Sequence, residues 1–413
     1  MNTARRMVIV GAGHVGGRAA QALREFGWGG EILLIGEEIH LPYERPPLSK
    51  ALLTGERDGA SCALRPREAY EAEGISHIVE RVASIDAAAR EVTLAAGRRI
   101  GYQSVLLATG GYLRRLAIPG ANLPGVLGLR TLDDAAALAP RLSPGAKIVV
   151  IGGGFIGLEV AASARQRGCE VVVVEGADRL LGRAVPEAIG LQVLALHRTR
   201  GVDIRLQTEP REIASLVGGA LSVALSDGGE LVATTVVVGI GIGPASELAR
   251  TASLTVNRGV VVNAELAASR PGVYAAGDVA EFPSPLSGQA IRQESWHNAE
   301  TQARTAARNM LGGHESYAAL PWLWSDQYDH VLQVGGEPAL GCSTVTRAWG
   351  AGAQIQFHLD AQGCLVGASG FGESRAMSRE FKLARMLVER RLRPRADELS
   401  DANVALKSLL RAA

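Results

Sequence analysis

Cysteine is scarce in these 413 residues, and Cys62, Cys169, Cys342 and Cys364 are scattered with no Cys-x-x-Cys or Cys-x4-Cys pair. That spacing argues against a disulfide framework and a zinc site, so the thiols are expected to be small apolar fillers and no metal is expected. Aromatic residues make up only 4%, and the net charge is +1. So small a charge gives no global reason for binding nucleic acid or an acidic membrane surface. No apolar run approaches the roughly 20 residues that cross a bilayer. The basic start, Met1 to Arg6, runs straight into apolar residues that lead to Gly11-Ala12-Gly13. It therefore reads as a first strand and not as a signal peptide, with a cytoplasmic location as the default. The tail Val404–Arg411 is somewhat amphipathic but short and without aromatics, which points to a docked helix and not a membrane anchor. A helix is expected over 400–413, with Ser400 or Asp401 as its N-cap.

Glycine, in contrast, is abundant: 50 residues, beside 47% hydrophobic residues. This composition suits an α/β chain with many strand-to-helix turns, long enough for two or three cores. One glycine pattern occurs twice. Val8-Ile9-Val10 enters Gly11-Ala12-Gly13-His14-Val15-Gly16, and Ile148-Val149-Val150-Ile151 enters Gly152-Gly153-Gly154-Phe155-Ile156-Gly157. The first glycine of such a turn makes the bend, the second admits a pyrophosphate, and the third lets helix and strand pack closely. Each copy is followed by a second apolar strand ending in an acid, Glu37 or Glu175, able to accept from ribose hydroxyls. One copy would be weak evidence. Two complete copies predict two dinucleotide sites.

The same duplication extends to the closing strands, Val105–Leu107 before Ala108-Thr109-Gly110, and Val236–Val238 before Gly239-Ile240-Gly241. After Gly243-Pro244 the chain is expected to return to the first sheet, where the strand of 272–277 ends at Asp278. From Pro321 onward alternating strands such as Ala353–Leu359 precede an Arg-rich helix near 375–393. The predicted fold is α/β: two Rossmann-like dinucleotide-binding domains plus a C-terminal α+β domain. Expected boundaries are 1–112 with 244–320 for FAD, 113–243 for NADH, and 321–413 for the C-terminal domain.

Four segments carry a family resemblance: Leu41–Lys50 (LPYERPPLSK), Leu129–Asp134, Gly152–Glu159 and Pro321–Gln327 (PWLWSDQ). Over nearly its whole length the chain resembles the FAD-dependent, NADH-using ferredoxin reductases of bacterial oxygenase systems, a glutathione-reductase-like fold. The resemblance implies FAD contacts at Gly11, Gly13, His14, Val15, Glu37, Arg45, Lys50, Val82, Ala108, Thr109, Gly110, Arg130, Asp278 and Trp296. It implies NADH contacts at Gly152, Gly154, Ile156, Gly157, Glu159, Glu175, Arg183 and Gly241. Glu159 falls where the family places an acid near the nicotinamide. Lys50, Glu159, Trp296 and Trp324 are the catalytic candidates, and Trp296 with 322–327 is expected to cover the flavin and line the exit. The partner implied is a two-iron, two-sulfur ferredoxin serving a Rieske-type dioxygenase or a haem-thiolate monooxygenase.

Flavin accepts a hydride and can release electrons singly, so no obligatory protein acid or base is expected. His14 is accordingly read as a helix-start residue facing the cofactor loop. A disulfide or peroxide reductase on this scaffold needs cysteine beside the flavin, yet Pro42–Leu53 contains none. A quinone reductase needs an anchor helix that the tail does not supply. Glu175, followed by no cation until Arg179, favours NADH over NADPH. Arg65, Arg67, Arg114, Arg115 and the basic series from Arg375 to Arg393 could steer an acidic partner. The chain is expected to act as a monomer or homodimer.

Overall fold

The computed structural model describes residues 5–182, 184–350 and 352–411. They form two compact units. The first gathers residues 1–45, 59–112 and 242–320; the second gathers 46–58, 113–241 and 321–413.

In the first unit a five-stranded parallel sheet runs in the order Val273–Ala275, Ser104–Leu107, Arg6–Val10, Glu31–Gly36, Ile75–Val79. Strands buried on both faces need near-continuous apolar runs, and Met7, Val8, Ile9, Ile32 and Leu34 are all sealed from solvent. The helix His14–Glu25 packs against Trp296–Met310. Residues beyond 243 do complete the first sheet, as the sequence led us to expect.

The second unit repeats the plan. Its parallel sheet runs Val126–Leu127, Thr235–Val238, Lys147–Ile151, Glu170–Val174, Asp203–Arg205. In both sheets the strand entering the glycine turn is flanked by its closing strand on one side and the acid-ending strand on the other. The same unit holds a five-stranded antiparallel sheet, ordered Trp322–Gln327, His330–Gly336, Leu365–Glu373, Ala353–Leu359, Ser343–Trp349. The helix Ser374–Glu389 buries Met377, Phe381, Ala384, Leu387 and Val388, a helical stripe facing this sheet. Both alternating sets of Ala353–Leu359 are buried, apolar Ile355 and Phe357 as well as polar Gln356 and His358.

Residues 46–58 belong to the second unit although both flanks belong to the first. They are tied down by Ser163 Oγ donating to the Ser49 carbonyl at 2.7 Å and by Arg167 Nη1 donating to that of Leu53 at 3.1 Å.

Two expectations fail. The tail is not one helix from Ser400: short helices Ala396–Ser400 and Leu406–Leu409 flank an irregular stretch. Buried Arg347 is the reason, since its guanidinium draws the carbonyls of Asp401 and Val404 to 2.6 and 2.7 Å, away from helical bonding. Nor are all four cysteines apolar filler, because Cys342 is exposed while Cys62, Cys169 and Cys364 are buried.

Candidate functional site: two glycine turns and a buried charge pair

Gly11 and Gly152 have φ of +111° and +110°, a region that costs other residues strain. A Cβ on Gly11 would come within 2.2 Å of the Ala108 carbonyl oxygen, and one on Gly152 within 2.5 Å of that of Gly239. The third glycines are as confined: a Cβ on Gly16 or Gly157 would lie 2.0 or 2.1 Å from the carbonyl oxygen of Gly11 or Gly152. The second glycines are open. Gly13 would meet only Arg45 Nη2, at 3.8 Å, and Gly154 meets nothing within 4 Å. Neither helix that follows has a side-chain cap at its N-terminus or an acid in its first turn. Each mould is thus tight where the chain must bend and roomy where a pyrophosphate would rest on helix N–H groups. The residues present fit a dinucleotide in both places.

Around the first turn, the short helix Gly277–Val279 carries half-buried Asp278, and a Cβ on Gly277 would come 2.5 Å from Val15 Cγ2. The structure therefore brings the turn that carries Asp278 close to Val15, in the first turn of the helix His14–Glu25. His14 is buried, bonds Glu300 Oε2 through Nε2 at 2.8 Å, and meets Trp296 edge-on at 5.3 Å. Trp296 Nε1 donates to Glu44 at 3.3 Å. Arg45 donates to Glu38 at 3.0 Å while bordering the open glycine. Thr109 Oγ1 donates to the Ala245 carbonyl at 2.8 Å, and Ala108 and Val82 are buried. Gly110, at φ +64°, accepts from the Ala245 N–H. Glu37 is 71% exposed, with Arg81 Nε 3.8 Å away.

Around the second turn, Glu175 Oε2 accepts from the Gly153 N–H at 2.6 Å and Oε1 from the Ala177 N–H at 2.8 Å. Arg179 donates instead to the carbonyls of Gly182 and Val185. Ile156 stands exposed on the first helical turn. Gly241, at φ +94°, has open space about it and accepts from the Arg114 N–H. Arg130 is half-buried beside the Thr131 capping box. Arg183 lies outside the described residues.

Lys50 and Glu159 meet within the second unit. Glu159 is 5% exposed, and Lys50 Nζ lies 3.3 Å from its Oε1 and 2.7 Å from Asp326 Oδ2. Ser325 donates to Glu159 Oε1 at 2.5 Å, and Ser49 donates to Oε2. Burial pushes the Glu159 carboxyl above its ordinary value despite Lys50 and the two hydroxyls. Burial works against the Lys50 ammonium, but Glu159 and Asp326 hold it above its ordinary value. Ser49, Ser325, Asp326, Gln327 and His197 carry no individual signal of a site role in the sequence. The PWLWSDQ segment, which holds three of them, was the available signal.

Trp322 and Trp324 stack at 5.1 Å in the second unit, with Arg385 over Trp322; Trp296 belongs to the first. Several expected docking cations are engaged internally. Arg65 pairs with Glu73, Arg385 with Glu389, and Arg393 Nε bonds Cys364 Sγ. Arg375, Arg379 and Lys382 lie exposed on the outer face of Ser374–Glu389. Among the described residues no group of histidine, cysteine and acid could hold a metal, and no helix is long and apolar enough to cross a membrane.

Comparison with known proteins agrees with this arrangement. Residues 5–303 match the pyridine nucleotide-disulphide oxidoreductase family and residues 322–410 the reductase C-terminal family. The chain is 41% identical to the ferredoxin–NAD(+) reductase component of an anthranilate 1,2-dioxygenase system from Burkholderia cepacia, covering 98% of each. It is 38% identical to rhodocoxin reductase of Rhodococcus erythropolis, covering 97% of this chain and 93% of that one. Among solved structures it resembles a ferredoxin reductase for the CYP199A2 system from Rhodopseudomonas palustris, at 38% identity and a TM-score of 0.92, covering 98% of this chain and 99% of that one. It also resembles a covalent putidaredoxin reductase–putidaredoxin complex, at 34% identity and a TM-score of 0.93, covering 100% and 99%. The doubled turn, the sheet order and these likenesses place the chain in the pyridine nucleotide-disulphide oxidoreductase family, among the ferredoxin–NAD(+) reductases of oxygenase systems.

Proposed function

We propose that this chain takes hydride from NADH onto FAD and passes single electrons to a two-iron, two-sulfur ferredoxin. The observation that carries the reading is the pair of moulds, each closed at its first and third glycines and open at its second. FAD, when bound, supplies the conversion of a two-electron donor into a one-electron donor. The chain's residues bind and orient. We assign FAD to the first turn, with Gly13 and Arg45 toward the diphosphate and Glu37 and Asp278 toward ribose and ribityl hydroxyls. We assign NADH to the second, with Glu175 toward the ribose and Glu159 and Lys50 toward the reacting end. Glu175 would repel a 2′-phosphate, and Arg179 is already spent on two carbonyls, so NADH is preferred to NADPH.

On this reading residues 1–112 with 244–320 form an FAD domain, 113–243 an NADH domain and 321–413 a C-terminal domain. Trp296, Trp322 and Trp324 serve electron exit, and exposed Arg375, Arg379 and Lys382 steer an acidic ferredoxin. The final acceptor is a Rieske-type dioxygenase or a haem-thiolate monooxygenase, and the protein works in the cytoplasm as a monomer or homodimer. Anaerobic NADH titration of the flavin-loaded protein, followed by a panel of two-iron ferredoxins, tests the assignment. Bleaching by stoichiometric NADH and reduction of at least one ferredoxin are expected. Rapid quinone or peroxide turnover with no ferredoxin reduced would overturn it.

A further inference from the structure

A buried polar chain leads away from Glu159. Ser325 Oγ donates to Glu159 Oε1 at 2.5 Å and accepts from Gln327 Nε2 at 2.9 Å. Gln327 Oε1 lies 2.9 Å from His197 Nε2. Ser325, Gln327 and His197 are fully sealed from solvent. Ser325 and Gln327 sit two residues apart on one strand, and His197 comes from the helix Glu187–Thr199.

The direction of each bond follows from the amide. With its N–H given to Ser325, Gln327 can offer His197 only a carbonyl oxygen, so His197 must donate from Nε2. Burial pushes His197 down to about 4, so it stays neutral, with its proton on that nitrogen. Ser325, already receiving an N–H, turns its own hydrogen to the carboxylate. His197 Nδ1 meets no partner. The chain therefore ends there and fixes orientation; it is no path for a proton to leave by.

We propose that Gln327 and Ser325, aligned by His197, are positioning residues that turn a hydroxyl hydrogen onto Glu159 Oε1 and so oppose its protonation opposite Lys50. A hydroxyl whose hydrogen is forced toward Oε1 favours the ionised carboxylate and disfavours a proton there. The groups facing Glu159 are Ser49 and Lys50 from the segment 46–58 and Ser325 from the strand Trp322–Gln327, while Asp326 meets Lys50 and not Glu159. Only Ser325 has its direction set by a further buried partner. The inference rests on the reading above, in which Glu159 lies at the reacting end of the NADH site.

The test is the carboxyl stretch of Glu159 followed by infrared difference spectroscopy against pH in the flavin-loaded protein, the band being assigned by its loss in E159Q. S325A and Q327L are expected to raise the midpoint by about one pH unit, the loss of one charge-assisted hydrogen bond. S325T, which restores a hydroxyl, is expected to titrate like the wild type. The pH profile of flavin reduction by NADH should move with the band. An unchanged midpoint in S325A and Q327L overturns the proposal; if Q327L does not fold, S325A decides alone. A wild-type protein that titrates this way but is not reduced by NADH would sink the functional reading and leave the positioning chain standing.

Discussion

Lys50 Nζ holds two carboxylates at once, the sealed Glu159 at 3.3 Å and the half-exposed Asp326 at 2.7 Å. One ammonium thereby compensates a buried charge that burial alone would neutralise.

Replacing Lys50 with Met should leave Glu159 with hydroxyl partners only. The cost is expected to reach about 3 kcal/mol at pH 8. Glu159 would then hold its proton well above the ordinary carboxylate value, so its contribution is intact at acid pH and lost as pH rises. Urea midpoints should therefore separate wild type and K50M more at pH 8 than at pH 5. A separation that ignores pH would count against the pairing.

Gly11 and Gly13 should part company under substitution. G11A forces a Cβ against the Ala108 carbonyl at positive φ and is expected to destabilise the protein by about 3 kcal/mol. G13A has room in the protein itself, so the melting temperature of the flavin-free chain should hardly move. Its methyl would instead occupy the diphosphate seat, and FAD affinity should fall at least roughly tenfold. Normal FAD binding by G13A would dislodge the assignment of that turn.

Glu175 ties its carboxylate to the turn through Gly153 and Ala177. E175A should therefore lose ribose recognition and some order in the turn. The ratio of kcat/KM for NADH over NADPH is expected to drop about tenfold, chiefly through KM. An unaltered ratio would show that selection lies elsewhere.

Two histidines are pushed down to about 4 by burial: His197 and His358. A base depressed in the folded state contributes stability that is present above its ordinary value of 6.5 and lost as pH falls toward 4. Each should cost about 2 kcal/mol between pH 7 and pH 5. H358Q is expected to flatten part of that decline in denaturant titrations. An equally steep decline in H358Q would remove His358 from the explanation.

Trp324 stacks on Trp322 rather than standing alone. In W324A, ferredoxin reduction is expected to fall roughly tenfold while reduction of ferricyanide, which needs no docked path, stays near wild type. Equal losses with both acceptors would sink the exit-path role.

Much of this architecture was legible because its determinants are local. The runs before Gly11 and Gly152, and the strands ending at Glu37 and Glu175, announce themselves within a few dozen residues. Ser325, Gln327 and His197 did not, since a serine or glutamine becomes meaningful only when a distant helix closes over it. The break in the tail was equally hidden, being imposed by Arg347 from another strand. Nothing in the composition of 46–58 says that it leaves the unit of its neighbours.

Lys50, Glu159 and Asp326 come from three separate stretches of the second unit, 46–58, 113–241 and 321–413. On the ribosome Glu159 must wait for most of the chain before Ser325 and Asp326 emerge. No single cut would release either unit as one continuous polypeptide, so neither can be expressed as a simple fragment. The full cluster of Lys50 with both carboxylates is thus completed late, only after synthesis has passed the PWLWSDQ segment.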